Sequence, residues 1–496
     1  MAAILEADFL VNKTACRGLL GYRVLTLRNA NGKDYGKLKL SDILSVSLLE
    51  DELSIRIVSY PYLNRKKKSR AQLSTTLTCE NTSLAEKFTK EICKLARIPH
   101  PSEKVRRKFL VFINPFGGTG QAKDVFYNSC KPVFDASLTA ELEVVETTHL
   151  GHAKEYVQST DVARFAAIVV VSGDGLLNEV VNGLAANAHS ANLQIPLGVV
   201  AGGSGNGLAA TLNALDPVVA SFNICKYQPK PLDIMKVSLN DTVQLGFLSV
   251  NWAMISDLDF ESERYRFVGG FRFTLGAIVR VINLRVYSGK LHYLPLAKDV
   301  PRTVCGPRCM VCHQRAPAKR EHLHDEVDEH SADGANGGDE SGGQVGCEQA
   351  PMDARHTCYS PLPTLRIPTR LPQGAELEEW VAVEGEFVLV VAANVAAVSY
   401  DAVMAPHAHL SDGCIDLVWV PACARHEITS ILLGLETGTH LRHPRLHYQK
   451  ARAVMITPEG GKGCYDLDGE HVHGPCNTML IESIPALCRV LAQPDG

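Results

Sequence analysis

One carboxylate, Asp174, stands between two glycines in Ser172-Gly173-Asp174-Gly175. Ile168, Val169, Val170 and Val171 come before it, a short apolar run of the kind that forms a parallel strand covered on both faces. After it, Leu176, Leu177, Val180, Val181 and Leu184 fall on one face of a helical pattern. The carboxylate is thus expected at the carboxyl end of a strand and the start of a helix, where open α/β sheets bind ligands. The glycines allow backbone N–H groups close to an anion, and a helix N-terminus favours phosphate. An ordinary tight strand-to-helix turn with a capping aspartate is the plainer alternative.

Further turns of the same kind favour the ligand reading. Residues 109–113 form an apolar strand closed by Asn114-Pro115-Phe116-Gly117-Gly118-Thr119-Gly120, and residues 195–200 form another closed by Gly202-Gly203-Ser204-Gly205-Asn206-Gly207. A strand at 142–146 leads into Thr147-Thr148-His149 and a helix from about His152. The first turn lacks the Gly-Lys-Ser/Thr ending of a Walker A loop, and its glycine spacing is not a dinucleotide fingerprint. Main-chain donors for a nucleotide phosphate or ribose remain its chemistry. In a doubly wound sheet all these turns lie along one edge.

Two acidic stretches follow. Residues 255–272, ISDLDFESERYRFVGGFR, set Asp257 and Asp259 among Glu261, Glu263, Arg264, Arg266 and Arg272, directly after an apolar strand at 247–254. A solvated helix face is the common use of such a charge run. Near the end, Tyr465-Asp466-Leu467-Asp468-Gly469-Glu470 is a turn whose two aspartates could coordinate magnesium through water.

The elements around these residues divide the chain. Residues 1–100 read as a separate module: strands at 21–27, 37–49, 54–60 and 71–79, then a helix at 84–96 with Leu84, Phe88, Ile92 and Leu95 on one face. Strands closed by one helix suggest a pleckstrin-homology-like (PH-like) barrel. Its Lys66-Lys67-Lys68 run suits anionic lipid or phosphate, or is a solvated hairpin loop. A basic linker leads to an α/β domain at 105–228. From 229 to 496 the pattern turns β-rich, with strands expected at 233–239, 243–253, 291–294, 387–393, 414–420 and 453–457, which suggests a sandwich. One helix is expected there, at 271–286, and its Leu275/Ile278/Val279 edge either meets a bilayer or packs on the sandwich. Residues 298–376 are rich in Gly, His, Asp and Pro and read as a disordered insertion. Its Cys305, Cys309, Cys312 and His313 are an incomplete zinc set without a second pair at standard spacing.

The 496 residues are 46% hydrophobic and 21% charged, an ordinary globular balance with room for two or three domains. A net charge of -4 gives no sign of nucleic-acid binding. The first residues carry acids early and lack a sustained apolar core, so no secretory leader is expected. No apolar run reaches the roughly 18 residues of a membrane span. The 15 cysteines are scattered, as in a reduced, cytoplasmic protein.

VVVSGDGLLNEVVNGL, NPFGGTG, GGSGNG, DLDFESERYR and the terminal DGE together resemble the sphingosine kinase (sphingoid long-chain-base kinase) family, among the diacylglycerol-kinase-like lipid kinases. The resemblance covers residues 105–496 apart from the insertion. It implies an α/β nucleotide-binding domain with a parallel, doubly wound sheet, joined to a β-sandwich C-terminal domain. It implies ATP and Mg2+ as cofactors, a sphingoid base as substrate and peripheral membrane association, and says nothing of oligomeric state. By resemblance Asp174 is the carboxylate that takes the proton from the lipid's primary hydroxyl, by proximity rather than a large pKa shift. Ser172, Gly173, Asp174 and Gly175 form the substrate turn, and Asp259 reads the amino-alcohol head. ATP contacts fall on Asn114, Pro115, Phe116, Thr147, Thr148, His149, Leu150, Gly151, Glu179, Gly203, Ser204, Gly205, Arg266, Arg272, Asp468, Gly469 and Glu470. The chain departs from animal members at Phe116, Thr119 and Phe267, where those often carry basic residues. A ceramide or diacylglycerol kinase, or a non-catalytic lipid-binding scaffold, are the competing readings.

Overall fold

Residues 167–172 form the strand Ala167–Ser172, buried along its whole length, and the helix Asp174–Ala186 follows after a single linking residue, Gly173. All five apolar positions of the helical pattern are buried. A computed structural model describes residues 3–11, 13–64, 69–118, 120–187, 193–262, 271–295 and 379–493, with backbone only at 64, 262 and 271–274. The lysine run at 66–68, the cysteines at 305–312 and the whole 298–376 stretch lie outside the described residues.

Four parallel strands lie side by side in the order Ala140–Glu146, Arg107–Ile113, Ala167–Ser172, Pro196–Ala201. Chain order reverses between Arg107–Ile113 and Ala167–Ser172. The segments that follow these two strands therefore leave in opposite directions, which opens a crevice at their carboxyl ends.

The β-rich half does not form a detached sheet. The last strand, Met479–Leu491, pairs in parallel with Pro196–Ala201 through Arg489 and Val490, and antiparallel with Pro229–Leu239. Hydrogen bonding is thereby continuous from the parallel strands through the sandwich, as one mixed fourteen-stranded sheet among the described residues. A separate core of Trp252, Phe387, Trp419 and Tyr465, with smaller apolar residues, fills the sandwich.

Several elements differ from the sequence expectation. The 243–253 strand is two, Thr242–Gly246 and Ser249–Ala253. The helix expected at 271–286 is Phe271–Ile282, and helices Met254–Ser262 and Arg425–Leu433 accompany it. On Phe271–Ile282, Ile278 and Ile282 are exposed one turn apart, while Leu275 and Val279 are half-buried.

The N-terminal strands form an antiparallel seven-stranded sheet among the described residues, with Asp34–Lys39 and Ile43–Leu48 at its two ends. The stretch 37–49 breaks at the short turn Leu40–Asp42 and so supplies both end strands. Strands Leu5–Val11 and Thr14–Leu20, not anticipated from sequence, pair along their length. Helix Thr82–Ala96 buries Phe88 and Ile92 on this sheet, with Phe88 edge-on to Phe9 at 4.8 Å.

This sheet is fastened to the α/β domain by buried polar groups. Lys226, at the end of helix Pro217–Lys226, donates to Ile43 O at 3.0 Å and Ala96 O at 2.6 Å. Burial, with Arg70 nearby, pushes its ammonium down to about 8. Arg70 pairs with Asp42 at 2.8 Å, donates to Tyr60 O, and lies over the Phe222 ring.

Candidate active site

The glycine turns meet. A Cβ at Gly203 would fall 2.3 Å from Gly173 Cα, and one at Gly118 would fall 2.8 Å from Gly203 Cα. Gly118 also holds φ at +56°, open to glycine at little cost. Three turns from three neighbouring strands are thus in backbone contact, an approach no side chain would permit. Asn206, itself at φ +57°, ties the third turn by accepting from Gly203 N at 3.0 Å and donating to Gly203 O at 2.7 Å. Asn114 Oδ1 accepts from Phe116 N at 3.0 Å and shapes the first. Phe116 and Leu150 are exposed, at 76% and 89%.

Asp174 is buried at the mouth of this junction. Its Oδ2 accepts from Gly207 N at 2.7 Å and its Oδ1 from Leu208 N at 3.2 Å. Burial pushes its carboxyl above the usual range, and the N–H groups of Gly207 and Leu208 pull the other way. A shifted pKa therefore accompanies proximity here. Gly205 lies opposite: a Cβ there would meet Asp174 Oδ2 at 3.4 Å.

The Asp468 hairpin reaches the same place from the sandwich. A Cβ at Gly175 would lie 2.6 Å from Glu470 Oε1, so the Glu470 carboxylate stands beside the residue after Asp174. Asp468 and Gly469, at φ +55° and +85°, make the hairpin bend. Asp468 accepts from Phe247 N at 3.0 Å, Leu248 N at 2.8 Å, Ser249 N at 3.1 Å and Asn178 Nδ2 at 2.8 Å. Burial pushes its carboxyl up to about 7. Asp466 accepts from Asn251 Nδ2 at 3.1 Å and Gly469 N at 2.8 Å and is hydrogen-bonded to Asp259. These two aspartates do not fit the magnesium role expected of them, because protein groups already occupy both carboxyls. Among the described residues no group of three His, Cys, Asp or Glu side chains is arranged to hold a metal ion.

The acidic helix Met254–Ser262 sorts its carboxylates. Asp257 takes Tyr287 Oη at 2.7 Å and Arg280 at 3.4 Å, and Glu261 takes Arg280 Nε at 3.0 Å and Arg285 at 3.2 Å. Asp259 belongs instead with Asp466.

Asn114–Phe116, Thr147–Gly151, Ser172–Gly175 and Gly203–Gly205 all sit at carboxyl ends of the four parallel strands. Thr147 N bonds Ile113 O at 2.9 Å, and His149 and His152 stack with ring centroids 5.0 Å apart. Glu179 lies on the Asp174 helix, and its Oε2 is buried with no hydrogen-bond partner among the described residues. Glycine-rich turns around a helix N-terminus fit a nucleotide's phosphates. Arg266 lies outside the described residues, and of Arg272 only the backbone, in helix Phe271–Ile282, is described.

Sequence reasoning missed the asparagines that hold the halves together. Asn178 and Asn182 both donate to Leu245 O, at 3.1 and 2.9 Å, and Asn182 Oδ1 accepts from Leu245 N. Their signal was two amides one turn apart on a mainly apolar helix. Asn394 donates to Asp233 O at 2.8 Å and Phe247 O at 2.9 Å, with no comparable pattern in the sequence.

Residues 108–237 match the diacylglycerol kinase catalytic domain family, and residues 374–492 match the YegS C-terminal NAD kinase beta sandwich-like domain. Sphingosine kinase 1 of Arabidopsis thaliana is 30% identical over 403 residues, covering 78% of this chain and 71% of the relative. Sphingosine kinase 2 of Homo sapiens is 31% identical, with 78% and 71% covered, and human sphingosine kinase 1 is 30% identical, with 73% and 85% covered. With a nucleotide-type crevice, a buried carboxylate at its mouth and these relatives across both halves, the chain belongs to the sphingosine kinase family and is a lipid kinase of the diacylglycerol-kinase-like superfamily.

Proposed function

We propose that the chain transfers the γ-phosphoryl group of ATP to the primary hydroxyl of a sphingoid base. The observation that carries this reading is the hairpin linking two carboxylates: Glu470 abuts Gly175, beside Asp174, while Asp466 of the same hairpin contacts Asp259. Asp174 takes the hydroxyl proton as the oxygen attacks phosphorus. Its burial supports this role, because a carboxyl raised above its ordinary range is a stronger base than an exposed one. The helix N-terminus behind it and the glycine turns hold phosphate oxygens, and the leaving ADP departs from the same cradle. Asp259 faces the protonated amine, since a cation entering a poorly hydrated site needs a carboxylate partner. Arg266 and Arg272 neutralise charge spread over the phosphoryl group in a loose transition state.

The N-terminal sheet with its helix is read as a PH-like module, firmly docked rather than tethered. The exposed Ile278 and Ile282 support a peripheral contact with bilayer through helix Phe271–Ile282. Among the described residues no helix is long and apolar enough to cross a membrane.

Radiolabelled ATP supplied with sphingosine, ceramide or diacylglycerol tests the reading. Transfer to sphingosine well above the other two is expected. Preferential labelling of a neutral acceptor would overturn the substrate, and no transfer to any lipid would overturn the activity.

A further inference from the structure

Asp466 is 1% exposed, in the middle of the strand Tyr465–Leu467, directly opposite Asn251 in the antiparallel register with Ser249–Ala253. Helix Met254–Ser262, which carries Asp259, begins immediately after Ser249–Ala253. Backbone pairing therefore fixes Asp466 and the root of the Asp259 helix together. Asn251 Nδ2 and Gly469 N hold the Asp466 carboxyl in place from two directions.

We infer that Asp466 is a positioning residue for the head-group site: its buried carboxyl donates a hydrogen bond to Asp259 and aims that carboxylate at the substrate's cationic amine. This rests on the reading of Asp259 as the amine's partner. Two carboxyls in contact inside a protein do not both ionise. Burial and the Asp259 charge both push the Asp466 carboxyl well above its ordinary range, so the proton stays on Asp466. Asp259, only half-buried, remains the anion. A second observation points to a ligand beside the pair. Asn251 is 3% exposed, and its Oδ1 accepts no hydrogen bond among the described residues, while its Nδ2 donates to Asp466 and Ser249 Oγ. A buried acceptor left open next to an anion suits a donor-rich cation such as an ammonium.

The arrangement also distinguishes substrate classes. An amine-bearing lipid gains a charge-assisted hydrogen bond from an oriented Asp259, whereas a neutral diol of the same chain length gains only an ordinary one. Losing the orienting donor should therefore erode selectivity for the amine and leave phosphoryl transfer intact.

The test uses the full chain and its Asp466→Ala, Asp466→Asn and Asp259→Asn variants, with sphingosine and a deaminated long-chain diol presented in mixed micelles. The readout is the ratio of kcat/KM for the two lipids, which does not depend on how much of a variant is folded. Asp466→Ala is expected to shrink the ratio about tenfold through the sphingosine KM, the size of a lost hydrogen bond to a charged group, with the ATP KM unchanged. Asp466→Asn, which keeps an N–H donor at the same place, is expected to restore most of it. An unchanged ratio in Asp466→Ala, alongside a collapsed ratio in Asp259→Asn, would overturn the role of Asp466 alone. Asp466→Asn behaving no better than Asp466→Ala would also overturn it. An unchanged ratio in Asp259→Asn would instead overturn the underlying reading of the head-group site.

Discussion

Asn178 Nδ2 stands 2.8 Å from Asp468 Oδ2, which ties the helix that begins at Asp174 to the hairpin whose second strand begins at Glu470. The same amide also donates to Leu245 O. Asn178→Ala removes both bonds, while Asp468 Oδ2 keeps Phe247 N and Leu245 O keeps Asn182 Nδ2 as donors. A loss of about 0.5–1.5 kcal/mol per bond follows. Thermal unfolding should show it as a lower Tm. Because the helix and hairpin then shift independently, kcat should fall by more than the ATP KM rises. A variant with wild-type Tm and kcat would show that the tie does not position the site.

Asp468 also makes stability depend on pH. Its carboxyl is pushed up to about 7 in the folded chain, above its ordinary value of 3.8. The folded state therefore binds the proton more tightly between these values. The group's contribution is fully present below about pH 4 and is lost as pH rises through about 7. Asp468→Asn cannot titrate. The cost of that substitution, measured by denaturant unfolding, should be larger at pH 5 than at pH 8. A cost independent of pH would mean that Asp468 is ionised throughout.

Local chemistry made the catalytic half readable. Strand, glycine turn and helix follow one another within residues 167–186, and the apolar positions of that helix are all buried. What stayed hidden depends on partners distant in sequence. Asp466 and Asp259 lie far apart along the chain, and only a β-register brings them together. The strand Met479–Leu491 was not anticipated. It joins the parallel strands to the sandwich by pairing on both sides, a choice that no local pattern encodes. The break at Leu40–Asp42 escaped notice for a related reason. Apolar residues alternate on both sides of it, at Leu38 and Leu40 and again at Leu44, Val46 and Leu48, although the chain changes sheet edge there.

Gly203 tests whether the turns must touch. Its would-be Cβ meets Gly173 Cα at 2.3 Å and Gly173 N at 2.6 Å, both backbone atoms that cannot rotate away. Gly203→Ala must push the third turn off the second, away from Asp174. The ATP KM should rise and kcat/KM should fall at least tenfold, since an ångström of misplacement costs about 10²-fold in well-aligned sites. Gly36, like Gly203 outside the left-handed region, provides the control, because an added methyl group there would meet nothing nearer than 4.0 Å. Equal effects at the two positions would argue against crowding as the cause.

The N-terminal sheet should be hard to detach. Arg70, buried and held by Asp42 at 2.8 Å, lies over the Phe222 ring of the α/β domain. Removing one partner of such a pair strands the other and costs about 3–5 kcal/mol. Arg70→Ala should therefore expose the connecting residues 97–106 to limited proteolysis at protease levels that spare the wild type. Unaltered cleavage kinetics would indicate a loosely held module.

Asp174→Asn is the decisive substitution for the chemistry, and its interpretation depends on two hydrogen bonds. The wild-type carboxyl accepts from Gly207 N through one oxygen and from Leu208 N through the other. An amide supplies one acceptor in place of two, so its NH2 faces a backbone N–H and helix Gly207–Thr211 loses part of its anchor. A modest drop in Tm is therefore expected alongside the catalytic loss, and the two must be separated. Removing a general base typically lowers turnover by about 10²- to 10⁴-fold. A fall in kcat of that size, with ATP binding measured by calorimetry close to wild type, assigns proton removal to Asp174. If ATP affinity fell in step with kcat, the carboxylate would instead be holding the glycine cradle in shape.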